Sequence, residues 1–140
     1  MAKKYVLIEE PKPAPQDEML KGILRRVAWL DDNVIKGAPY FDAAWIVKEI
    51  PKRPRINLHR HDFDEFLGFM GADPENHMDL GCEVEVQVDD DIMILRKTCL
   101  IFIPAGVKHG IGAVTNLTRP VLCYSGGPNA AYIAIKEENA

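Results

Sequence analysis

The chain has 140 residues, a net charge of −4 and a pI near 5.5. That length is one domain's worth, with enough chain to bury a real core. No basic field is available for nucleic acid, and no apolar run approaches the roughly 20 residues that span a bilayer. Cys82, Cys99 and Cys123 are odd in number and far apart. They form no CxxC pair and no disulfide framework, so the expected compartment is reducing and cytoplasmic. The start, "MAKKYVLIEE", lacks the long apolar segment of a signal peptide.

In chain order, residues 1–22 form an N-terminal extension that ends in the proline-rich connector "PKPAPQDE". Residues 23–140 form the main domain. "EMLKGILRRVAWLDD" fits a weak helix or a short strand pair equally well. "YFDAAWIVKEI" is rich in aromatic and β-branched residues and reads as a strand. A series of short strands follows: "RINLHRH", "EFLGFMG", "CEVEVQV", "IMILRKT", "LIFIPAG", "GIGAVTN", "PVLCYSG" and "AYIAIKE". Many short strands separated by turn residues predict an all-β sandwich or barrel. Val84, Val86 and Val88 alternate with Glu83 and Glu85, which predicts valines facing in and glutamates on a solvated face. Trp45, Phe69 and Phe102 are expected in the core, and the three cysteines serve as small hydrophobes in or beside strands.

Chemistry concentrates in "NLHRHDFDEF". On a strand, His59 and His61 share a face, and Glu65 stays in register with them if the strand resumes after a small kink. A third histidine, His109, follows the tight turn in "IFIPAGVKHG", which can aim it back into the interior.

"HRHDFDE" and "PAGVKH" together resemble the two motifs of the cupin superfamily, over roughly residues 43–125. Arg53, Thr98 and Ala113 stand where the motifs have Gly, Gly and Asn, and Gly81 is the best match for the glycine after the glutamate. The resemblance implies a double-stranded β-helix, a jelly-roll barrel. It also implies that His59, His61, Glu65 and His109 bind one divalent transition metal. Imidazole and carboxylate donors suit Fe, Mn, Ni, Co or Zn, and four protein ligands leave positions open for chemistry.

The implied function is a metal-dependent enzyme acting on a small polar or carboxylated molecule, as a dioxygenase, lyase or isomerase. The alternative is a non-catalytic ligand-binding or sensing barrel. Arg55 and Asn57 are in phase with His59, and Tyr124 offers a phenol, so these three are the candidate substrate contacts. The polar connection Ala72–Leu80 is a candidate lid, and His77 within it is expected as an exposed loop histidine. The apolar "YVLIEE" can add to a neighbour's sheet edge, so a homodimer is expected, with no nucleic-acid or membrane partner.

Overall fold

The computed structural model describes residues 4–129 and 135–136. After a short helix, α1 (Pro15–Met19), the chain is built from strands. They are β1 (Leu24–Leu30), β2 (Pro39–Ile46), β3 (His59–Arg60), β4 (Glu65–Met70), β5 (Asp79–Val88), β6 (Asp91–Lys97), β7 (Cys99–Ile103), β8 (His109–Thr115), β9 (Val121–Asn129) and β10 (Ile135–Lys136). Five strands make one sheet in the order β1-β2-β9-β4-β7. Five make the other, in the order β10-β3-β8-β5-β6. Neighbours within each sheet are antiparallel. This is the all-β jelly-roll arrangement expected from the strand series.

The segment that read as a helix or a strand pair is neither: it holds the last residues of α1 and a single strand, β1, whose partner β2 lies outside it. Pro15 opens α1, where a missing N–H costs nothing, and Gly22 at φ +82° turns the chain into β1. The core lies between the sheets around Phe69, Leu80, Val84, Val86, Ile103, Val114 and Val121. Val88, at the end of its strand, is only partly buried.

Three expectations about which way a side chain faces fail. Phe102 is 66% exposed. In β7, Cys99, Ile101 and Ile103 pack against the core, so Leu100 and Phe102 face out. Trp45, partly buried, also lies outside, on the β2 face opposite Ala44 and Ile46. Glu85, expected in solvent, is 6% exposed. The Lys52–Ile56 segment crosses its face of the sheet. Lys52 Nζ donates to Glu85 Oε2 at 2.6 Å, and the Ala113 N–H donates to Oε1 at 3.1 Å. Glu83 is on the partly exposed side, with Arg96 and Asn116 as partners.

The Ala72–Leu80 connection is a compact turn. Asp73 caps a 3-10 turn over Pro74–Asn76. Thr98 pins the rest: its hydroxyl donates to the His77 carbonyl and accepts from the Gly71 N–H. The threonine that replaces a motif glycine thus has a structural role. His77 is exposed, as expected.

A candidate metal centre in the barrel cavity

β3 and β8 pair with His59 directly opposite His109, which places two imidazoles side by side. His61 and Glu65 flank the turn that joins β3 to β4. That turn is fixed by long-range backbone ties. The Gly106 N–H donates to the His61 carbonyl at 2.8 Å, and the Ala105 N–H donates to Asp64 Oδ1 at 2.9 Å. Gly106 sits at φ +84°, which the Pro104–Gly106 turn requires. Gly110 is needed beside the site, because a Cβ there would strike the Asn57 carbonyl. Phe63 stacks on His61, with centroids 4.8 Å apart and planes 16° from parallel.

The ring nitrogens of His59, His61 and His109 lie within 4.8 Å of one another. Glu65 joins them, with His61 Nε2 at 3.4 Å and His109 Nε2 at 3.0 Å. His61, Glu65 and His109 are almost wholly buried. His109 Nδ1 is 2.9 Å from the Val107 carbonyl. That contact favours the Nδ1–H tautomer and leaves a lone pair on Nε2. His109 Nε2 is buried without an aligned hydrogen bond. A buried imidazole nitrogen in this state, beside two more imidazoles and a carboxylate, fits a divalent metal.

Burial pushes His59 down to about 4, and His109 and His61 beside it add to the shift. His109 goes the other way: burial would lower it, but Glu65 and the Val107 carbonyl outweigh that and raise it. Cys123 is pushed up to about 12 by burial, so it is a thiol and not a thiolate ligand.

These groups open on a cavity of about 410 Å³. Most of its wall is apolar, with Leu24, Ile46, Leu67 and Ile111 among the contributors. A second polar pole is built from Arg26 and Asp42, which line the same cavity. Arg26 holds Asp17 with Nη2 at 2.7 Å and Nε at 3.0 Å, and pairs with Asp42 through Nη1. Burial raises Asp42 above the ordinary carboxylate range. Arg26 opposes that shift, and the nearby Asp17 and Glu65 charges add to it. Tyr40 and Ser125, hydroxyl to hydroxyl, complete the polar lining.

The cover of the cavity comes from the N-terminal side. Gln16 and Leu20 line it, and Asp17 ties α1 to Arg26. No residue of Ala72–Leu80 lines it. Among the expected substrate contacts, Asn57 and Arg55 are exposed and lie off this wall; Arg55 borders a separate shallow groove. The strand begins only at His59, so its alternation does not extend back past Pro54. Tyr124 is among the residues that border the cavity, but its ring packs over Gly68, 6.2 Å from Phe66. Arg53, in the position of a motif glycine, does line the cavity. Sequence reading missed Asp42, although a signal existed: in "YFDAAWI" it shares a face with Tyr40, Ala44 and Ile46.

No family model matches the sequence, and no curated protein matches it. Solved structures do. An uncharacterised conserved protein with a double-stranded β-helix domain from Klebsiella pneumoniae superposes with a TM-score of 0.52 at 13% identity, covering 99% of this chain and 100% of that one. A cupin protein from Bacteroides fragilis gives 0.44 at 14% identity, covering 94% and 92%. KdgF from a Halomonas species gives 0.43 at 12% identity, covering 74% and 76%. On strand topology and on the first of these likenesses, which spans the full chain, the chain has a double-stranded β-helix fold.

Proposed function

We propose that the chain is a metal-dependent enzyme that binds a small polar or carboxylated molecule in the barrel cavity. The observation that carries this reading is the convergence of three imidazoles and Glu65 on a cavity of about 410 Å³. That is the size of a small-metabolite pocket. His59, His61, Glu65 and His109 are the ligands, and Fe, Mn, Ni, Co or Zn are the metals that suit them. When bound, the metal supplies Lewis-acid polarisation of an oxygen donor.

The chain's own residues do the rest. The apolar wall takes the carbon body of the substrate and excludes water. Arg53 at the cavity margin meets a carboxylate. Asp42 has its raised pKa and one oxygen committed to Arg26. It is the group placed to hold or move a proton, and Arg26 orients it. Substrate contact thus passes from Asn57, Arg55 and Tyr124 to Arg53, Asp42 and Arg26. We also place the protein in the cytoplasm. The thiols of Cys82, Cys99 and Cys123 are free, and among the described residues no helix is long and apolar enough to cross a membrane.

Elemental analysis of protein purified without an affinity tag tests the reading. One equivalent of a divalent metal is expected, with sharp loss in His61→Ala and in His109→Ala. Full metal content in both variants would overturn the site. Metal-loaded protein is then tested on small carboxylic acids. Binding without turnover would leave a ligand-binding barrel in place of an enzyme.

A further inference from the structure

Arg26 lines the cavity, and its side chain is 9% exposed. Its two anionic partners are held in different ways. Asp42 is on β2, the strand paired with β1, so the sheet fixes its place. It takes Nη1 of the guanidinium. Asp17 is on α1 and takes the other edge, with Nε at 3.0 Å and Nη2 at 2.7 Å. Those two N–H groups form a fork that matches the two oxygens of one carboxylate. Asp17 presents a single oxygen, Oδ1, to both. Its Oδ2 accepts from the Ala14 N–H at 2.8 Å. The fork is therefore filled by a carboxylate that fits it only in part.

α1 has few other ties. Ala14, its N-cap, is buried, and Trp29 Nε1 donates to the Lys12 carbonyl in the connector before it. None of the five residues of α1 is buried, and Met19 is 83% exposed. On the other side, Gly22 sits at φ +82°, and no atom lies within 4 Å of where a Cβ would be. The joint to β1 thus has room to turn. Gln16 and Leu20 of this segment line the cavity, so the position of α1 decides access to it.

We propose that Arg26 is the carboxylate-binding residue of the cavity, and that Asp17 occupies it until a ligand carboxylate takes its place and frees α1. The inference rests on the proposed reading that a small carboxylated molecule binds in the cavity. A ligand that brings both oxygens to the Nε–Nη2 edge makes the bidentate pair that Asp17 does not make. The exchange replaces one anion by another, so the charge around Arg26 and Asp42 is unchanged. Asp17 is ionised for this role: burial would raise its pKa, but Arg26 and the Ala14 N–H outweigh that and lower it. Arg53 also lines the cavity, so a second carboxylate has a cation to meet. The ligand class is a small mono- or dicarboxylic acid. A neutral amide of the same shape is refused, because it leaves Arg26 to Asp17. A tethered carboxylate competes at an effective concentration in the millimolar range, which sets the ligand level that opens the cover.

Calorimetric titration with succinate, on metal-loaded and on metal-free protein, is the test, with succinamide as the neutral control. Asp17→Asn keeps an oxygen for the Ala14 N–H and removes the competing charge. It should bind succinate at least about fivefold more tightly than wild type, because the competent state no longer has to be released. Arg26→Met should bind it at least about tenfold more weakly, as the loss of a charge-assisted pair predicts. Neither change should alter the response to succinamide. The unmodified site gives a second reading. In a Trp45→Phe background, Trp29 is the sole tryptophan, and its quenching by acrylamide should rise as succinate saturates. An Asp17→Asn chain that binds succinate no better than wild type would make the Asp17–Arg26 pair a plain structural tie and overturn the proposal. Equal binding by all three chains, or binding that leaves Trp29 unchanged, would overturn it too and leave the proposed function standing. No saturable binding to wild type or Asp17→Asn up to about 100 mM, well above the tethered group's effective concentration, would overturn both.

Discussion

Replacing Arg26 with Met keeps much of the side chain's volume and removes its charge. Asp17 and Asp42 then lose their common partner. Removing one member of a fully buried ion pair costs about 3–5 kcal/mol, and an exposed pair about 0–1 kcal/mol. The side chains here retain 9%, 24% and 21% of their exposure for Arg26, Asp17 and Asp42, which places the expected loss between these limits, at about 2–3 kcal/mol. The pH dependence identifies the cause. Asp42 already has a raised pKa in the folded protein, and without Arg26 it rises further. A carboxyl whose folded pKa lies above its unfolded one binds more protons in the native state, so its penalty is fully present at neutral pH and shrinks as pH falls through the folded value. Urea denaturation at pH 7 and again near pH 5 should therefore show a smaller deficit at the lower pH. Adding Asp42→Leu to Arg26→Met should recover most of the loss, since an apolar pair can replace a buried ionic one. A single-variant deficit below about 0.5 kcal/mol, the size of an ordinary surface change, would refute the reasoning. A deficit that grows on acidification would refute it too.

Three other outcomes can be checked directly. Phe69→Ala empties the centre of a core position with 0% exposure, and urea denaturation should show a loss of about 3–5 kcal/mol. Glu85 is held below the usual carboxylate range, first by Lys52 and then by the Ala113 N–H. Its contribution is present above its unfolded pKa and lost as pH falls through the lower folded value. Glu85→Gln should cost about 1 kcal/mol at pH 7, Lys52 being mostly exposed, and the gap to wild type should close on acidification. Replacing Ala72–Met78 with a short Gly-containing turn should lower thermal stability through the lost Thr98 bonds. Metal content should be unchanged, because that connection does not line the cavity.

The barrel, and the meeting of His59, His61, Glu65 and His109 in one place, were legible for physical reasons. Turn residues cut the chain into strands, and two histidines one residue apart share a strand face. Inside and outside were harder to read. Alternation separates two faces of a strand, but in "CLIFI" both faces are apolar, so nothing in the residues says that Phe102 is outside. In "CEVEVQV" the alternation was real, yet the polar face still lost Glu85 to burial, because a distant segment crosses it. Arg26 was hidden by ambiguity over the segment it occupies. Its role appears only when β1 and β2 pair and bring Asp42 within reach. The cover of the cavity was assigned to the longest polar connection. Length and polarity say that a segment is outside, but not over which opening it lies.

β9 carries two vocabularies in one strand. Cys123 and Ser125 look into the cavity, while Leu122 and Tyr124 alternate with them on the strand's other face. The strand sits at the middle of its sheet, between β2 and β4. A substitution at any one of these positions is heard on one side only, so pocket and surface can drift independently through point changes. A single-residue deletion is another matter. It slides the remainder of the strand by one place and exchanges the two sets, bringing a bulky phenol to the position of a thiol and the thiol to the outside. This stretch should therefore tolerate many spellings and almost no change of length.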